Sequence, residues 1–141
     1  MKTDSQASAA SLLLEQSGSF VITVNGHCMQ PRVCFADQVV ITHASHYLPG
    51  DVLLFNHPLQ GLTVHRLLGL TLSTRGLRYM TKADNSNQID RMLKPKEVLG
   101  RVDRNLTQAV DVRPSQMIRL RCTAQLLKYT FTLVVKKLRL K

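Results

Sequence analysis

Between residues 20 and 102 the chain runs as a series of short β-branched and apolar segments: FVITV (20–24), QVVIT (38–42), VLLFN (52–56), LTVHRLLGL (62–70), LRYMT (77–81) and EVLGRV (97–102). Asn-Gly, Pro-Gly-Asp, His-Pro, Arg-Gly and Asp-Asn-Ser-Asn steps punctuate them, and these are turn-forming combinations. Segments this short are stable only when paired edge to edge with several neighbours. The spacing therefore predicts a mainly β domain, β-rich α+β in class, built on antiparallel strands. A chain of 141 residues fits one compact domain. It contains no internal repeat, which sets solenoid architectures aside.

Both flanks differ from this pattern. Residues 5–16 (SQASAASLLLEQ) combine helix formers with a capping Ser and predict a short amphipathic helix, ended by SGS at 17–19. The tail (SQMIRLRCTAQLLKYTFTLVVKKLRLK, 115–141) alternates apolar and basic residues and has no Gly or Pro after Pro114, which predicts a second helix. Its β-branched stretch YTFTLVV is expected to make that helix irregular near residue 130. The chain thus divides into an N-terminal helical segment (1–18), a β domain (19–112) and a basic amphipathic tail (113–141).

Charge is distributed unevenly along these parts. The formal net charge is +10, and residues 113–141 hold eight of the nineteen Lys and Arg residues and no acid, whereas residues 1–112 carry eleven basic against nine acidic residues. The tail is read either as a solvated helix face packing its Leu and Val side on the domain or as a surface anchor on anionic lipid. Aromatic residues are only 5% of the chain, Trp is absent and no helix-turn-helix is recognisable, which argues against a nucleic-acid partner. The N-terminus has an apolar run of only three leucines with acidic residues on both sides, and reads as neither a secretory signal nor a membrane span. Cys28, Cys34 and Cys122 form no CxxC pair and are odd in number, so neither a disulfide framework nor a structural zinc site is expected. His27, His43, His46 and His57 lack Cys or carboxylate partners at ligand spacing, so no metal or cofactor is expected. The expected location is cytoplasmic, with the tail as the one candidate for peripheral contact with the inner membrane face.

Three segments carry residues capable of chemistry. In VNGHCMQP (24–31), Cys28 follows a strand and a Gly turn, a position that exposes a nucleophile on one side and holds it rigidly. The ordinary fate of a free Cys is a small buried hydrophobe. In TVHRLLG (63–69), strand alternation puts Val64 and Arg66 on one face and His65 on the other. The polar loop TKADNSNQIDR (81–91) offers Asp84 and Asp90 as carboxylates that could orient an imidazole.

Singly these signals are weak, but their order resembles the signal peptidase and SOS-repressor peptidase superfamily. The matching boxes are GHCMQP (26–31), ADQVVI (36–41), PGDVLLF (49–55), VHRLLG (64–69), TKADNSNQID (81–90) and VLGRV (98–102), and together they span about residues 20–102. His65 in VHRLL resembles the branch of that family whose base is histidine rather than lysine. The resemblance implies a signal-peptidase-like antiparallel β fold, similar to the repressor C-terminal domain. It also implies an endopeptidase with Cys28 as nucleophile, His65 as general base and Asp90 as the supporting acid, with Asp84 matching the Asp of the family's Gly-Asp-Asn motif. Either Asp84 or Asp90 could then orient His65. A peptide or protein substrate would lie extended along a strand edge near Val24, Met29 and Pro31. Cys28 stands where the family has serine, and Ala36 and Ala83 stand where it has glycine, which adds strain wherever the backbone needs a positive φ. The alternative implied by the cysteine is a peptide-binding module of the same fold that has lost turnover.

Overall fold

The computed structural model describes residues 2–73 and 76–139. Helix α1 (Lys2–Ser17) leads into strand β1 (Ser19–Thr23), followed by β2 (Gln38–Thr42), β3 (Val52–His57), β4 (Gly61–Ser73), β5 (Gly76–Lys82), a 3-10 turn at Pro95–Glu97, β6 (Val98–Asn105), the two-residue β7 (Val110–Asp111) and helix α2 (Gln116–Arg139). The strands form one seven-stranded antiparallel sheet in the order β1-β2-β6-β3-β4-β5, with β7 paired to β6. The fold is therefore mainly antiparallel β, with a helix at each end of the chain, as the run spacing predicts. Each predicted run falls within a strand or overlaps one closely. β7 was not expected, because a two-residue strand leaves no hydrophobic pattern to read.

The central strand β3 is buried on both faces from Val52 to Phe55, and alternation sends every second side chain to the main core. Val39 and Ile41 of β2, Val52 and Leu54 of β3, Val64 of β4 and Val102 of β6 form the main core, with Met29 and Val33 entering from the loop after β1 and Leu14 of α1 closing it from above. Burying such a set removes most of its apolar area from water, and each fully buried Val, Leu, Ile or Met contributes roughly 1.5–3 kcal/mol. A smaller core of Leu68, Met80 and Cys122 holds α2 against β4 and β5.

Helix α2 is anchored at its start by Arg119, which pairs with the buried carboxylate of Asp51 at 3.2 Å and donates to the Pro49 carbonyl at 3.1 Å. Further along, Leu126 lies so close to Gly69 that a β-carbon there would meet its Cδ2 at 2.5 Å. The irregularity expected near residue 130 does not occur, and α2 runs unbroken from Gln116 to Arg139. The threonines of the β-rich stretch turn their hydroxyls back onto the helix, Thr130 to the Leu126 carbonyl at 2.6 Å and Thr132 to the Lys128 carbonyl at 2.8 Å. That bond satisfies the hydroxyl without leaving helical geometry.

One turn carries strain that the sequence foreshadows. Ala36 adopts a φ of 65°, whereas Ala83, the other alanine at a family glycine position, is not in this region. A left-handed conformation costs an L-residue roughly 1–2 kcal/mol. Replacing Ala36→Gly is expected to stabilise the protein by roughly 1 kcal/mol in urea unfolding, after allowance for the freer unfolded chain. Gly69→Val is expected to destabilise it by about 2 kcal/mol or more, because the added side chain meets Leu126 and must also adopt the φ of 155° that Gly69 holds.

Candidate active site

Cys28 stands at the start of a turn that follows β1. The turn is closed by main-chain bonds from Gln30 N–H to the His27 carbonyl and from Val33 N–H to the Met29 carbonyl. Asn85, across the cleft, clamps it: its backbone N–H donates to the Cys28 carbonyl at 3.2 Å and its side-chain amide to the His27 carbonyl at 2.7 Å. The Cys28 thiol, half-buried, points to the Val64 carbonyl at 3.7 Å. The next residue along β4 is His65.

His65 and Asp90 meet directly, with Nδ1 at 2.6 Å from the Asp90 carboxylate. The same Asp90 oxygen accepts a bond from the Thr81 hydroxyl at 2.8 Å, and the Asp90 N–H donates to the Thr81 carbonyl at 2.9 Å, so buried Thr81 fixes the carboxylate in place. Phe55 sits edge-on to the imidazole with ring centroids 5.8 Å apart and limits its tilt. Burial favours the neutral ring and is the largest single influence on it. The hydrogen bonds and charges of Asp90 and Cys28 together outweigh burial and push the His65 pKa up to about 9. With Nδ1 committed to Asp90, Nε2 is the nitrogen left to share a proton with Cys28. Sulfur, imidazole and carboxylate thus lie in series along one cleft, with the imidazole held by Asp90 and influenced by Cys28.

Several of the expected residues lie elsewhere. Asp84 does not touch His65; it forms a two-point ion pair with Arg66, Nε to Oδ1 at 2.7 Å and Nη2 to Oδ2 at 2.5 Å, while Arg66 Nη1 donates to the Gly50 carbonyl at 2.8 Å. Asp84 is a positioning residue for the turn that carries Asn85, and its assignment to the catalytic set is corrected on that ground. Met29 is wholly buried in the core, where the turn that begins at Cys28 seats it, so it is not available to a substrate. Pro31 is exposed but borders the hollow near Arg66, Asp84 and Arg121 on the far side of the turn, not the Cys28 cleft. Val24 is buried and its main chain is committed, N–H to the Asp37 carbonyl and carbonyl to the Ala36 N–H; only its side chain reaches a groove. Thr81 and Asn85 were not anticipated. No residue type marks a second carboxylate partner or a turn clamp in advance, and only their place beside Asp84 and Asp90 could have suggested them.

The cleft over Cys28 and His65 has a volume of about 730 Å³ and is bordered by Gly26, His27, Leu62, Val64, Asn85 and Ile89, among others. It continues into an apolar trough of about 500 Å³ between β1 and the first half of β4, roofed by Ala9, Ala10 and Leu13 of α1. Both walls of this trough are unpaired strand edges among the described residues. β1 pairs only with β2, and β4 gains its β5 partner only from Arg66 onward. Because Val24 bonds toward the β2 side, alternation turns the main-chain groups of Val21 and Thr23 to the trough; because Val64 turns its carbonyl to Cys28, those of Leu62 and Val64 face it too. No group of three or more His, Cys, Asp or Glu side chains among the described residues comes together in a way that could hold a metal ion.

No protein-family model matches this chain, and no curated protein matches it. The functional reading rests on the geometry of the site.

Titration of His65 by NMR is expected to give a midpoint near 9, well above the ordinary 6.5, and lower midpoints in Asp90→Asn and in Cys28→Ala. A folded-state pKa raised above the unfolded one contributes stability that is fully present below pH 6.5 and is lost as pH rises toward 9. Asp84→Ala is expected to leave the His65 midpoint in place while destabilising the fold by about 3 kcal/mol, because Arg66 is then buried without its counter-charge.

Proposed function

We propose that the protein is an endopeptidase of the signal peptidase and SOS-repressor peptidase kind, working through Cys28 and His65 with Asp90 in support. The observation that carries this reading is the Cys28–His65–Asp90 series at the end of a trough whose two walls are unpaired strand edges. A peptide that lies in the trough as an extra strand pairs its main chain with Val21 and Thr23 on one side and Leu62 and Val64 on the other, and its carbonyl arrives at Cys28.

The chemistry follows from the proton positions. The Cys28 thiolate attacks the peptide carbonyl carbon, and the carbonyl π electrons move to oxygen. Among the described residues the Cys28 N–H has no hydrogen-bond acceptor, so it is free to donate to that oxyanion. Collapse of the intermediate breaks the C–N bond, and the imidazolium of His65 gives its Nε2 proton to the departing amine. Neutral His65 then takes a proton from water, the resulting hydroxide attacks the thioester, and Cys28 leaves as thiolate beside a recharged imidazolium. Asp90 stabilises that cation in both halves of the cycle. The reaction needs a reduced thiol, and all three cysteines are free, which supports a reducing compartment such as the cytoplasm.

Incubated with a mixed peptide library and read by mass spectrometry, the full chain is expected to generate new N-termini at a recurrent sequence. Cys28→Ala and His65→Ala are each expected to lower that cleavage by at least about 10³-fold. Cleavage that persists in either variant removes the dyad. Peptide capture without cleavage by the unmodified chain would instead make it a binding module.

A further inference from the structure

Helix α2 has two apolar faces, and the fold uses only one. Ile118, Cys122, Leu126 and Tyr129 pack toward the sheet. Met117, Leu120, Leu127, Phe131 and Val134 are each between 55% and 71% exposed, and with Ala124 they recur at alternating intervals of three and four residues. That spacing aligns them in one stripe along some 17 residues of helix, on the side away from the sheet. Arg121, Lys128 and Arg139 are exposed and fall about 70–90° round the helix from the stripe, on one flank, while exposed Lys136 falls about 150° round, toward the sheet side. No acidic residue occurs anywhere in α2.

We propose that α2 docks the protein on an anionic phospholipid surface, with this stripe laid into the headgroup boundary and Arg121, Lys128 and Arg139 on lipid phosphates. Charge complementarity selects the occupant. A second copy of the helix would bring the same basic flank against itself with no carboxylate on either side of the seam to pair it. A bare polyanion would satisfy the arginines and lysines and leave the stripe in water. An anionic bilayer satisfies both, because its surface offers phosphates at the depth where its acyl chains begin. No helix among the described residues is long and apolar enough to cross a membrane, which fits a helix lying in the surface plane. The sheet-packed face stays occupied throughout, so docking requires no part of the core to open. The basic flank is also the side that meets Ile89, through Gln125, Lys128 and Thr132, and Ile89 lines the Cys28 cleft as well. Docking therefore sets the cleft beside the lipid surface. The inference does not depend on the reaction assigned to Cys28.

Because the chain has no Trp, Phe131→Trp introduces a single fluorophore into the stripe. Its emission is expected to shift to the blue with vesicles of phosphatidylcholine containing about a third phosphatidylserine, not with phosphatidylcholine alone, and the shift is expected to shrink as salt is raised. In co-sedimentation of the full chain, the double variant Leu127→Ser, Phe131→Ser is expected to bind anionic vesicles at least about tenfold more weakly, with an unchanged circular dichroism spectrum since neither side chain belongs to the core. Three results would overturn the proposal: no binding to anionic vesicles at low salt, equal binding by the double variant, or a lipid-independent dimer that the double variant dissolves.

Discussion

The hydrogen bond from His65 Nδ1 to Asp90 joins the middle of β4 to the loop beyond β5, and both ends of it are held by structure rather than by chance. Thr81 pins the carboxylate from the neighbouring strand, and Phe55 limits the tilt of the ring. Because Nδ1 is committed, the opposite nitrogen serves Cys28, and because Asp90 is negative, the ring keeps its proton to about pH 9. The imidazole and the loop that completes the cleft thus both depend on one carboxylate. If Asp90 pointed elsewhere, burial alone would favour a neutral ring and the thiol would have no cation beside it.

The other carboxylates near the strand ends stabilise turns. Asp37 is buried and accepts from the Cys34 backbone and from the amides of Asn105 and Gln108, which holds the loop between β1 and β2. Asp51 is buried where β3 begins and accepts from the Leu48 N–H, and it pairs with Arg119 at the foot of α2. Asp84 neutralises Arg66 and thereby places Asn85 over the Cys28 turn. Asp37, Asp51 and Asp84, each from a different box that resembles a peptidase motif, are therefore anchoring residues. They hold the loops and strands between which Cys28 and His65 meet. The burial cost is offset by several hydrogen bonds at Asp37, by the two-point pair with Arg66 at Asp84, and by one main-chain bond and the cations of Arg101 and Arg119 at Asp51.

Much of this architecture was legible in the sequence, for identifiable reasons. The strands announced themselves because β-branched runs were separated by turn chemistry, whereas the two alanines at glycine positions could not be told apart in advance: only Ala36 takes a positive φ. The tail misled near residue 130 because propensity counts Thr130 and Thr132 as strand formers, whereas their hydroxyls bond back to carbonyls of their own helix. At the site, spacing could bring Cys28, His65 and two aspartates into one neighbourhood but could not say which aspartate reached the imidazole. That choice turns on Arg66, whose own partner is decided by which face of β4 it occupies. Met29 was misplaced because nearness to Cys28 in sequence does not reveal that the turn seats its side chain in the core.

The central claim is that His65, held by Asp90, activates Cys28, and the alkylation rate of each cysteine tests it most directly. With limiting iodoacetamide near pH 7 and peptide mapping by mass spectrometry, Cys28 is predicted to react at least about tenfold faster than Cys34, which is similarly half-buried and has no imidazole partner among the described residues. His65→Ala is predicted to remove that advantage. Equal rates at Cys28 and Cys34, or a fast Cys28 that persists without His65, would contradict the account.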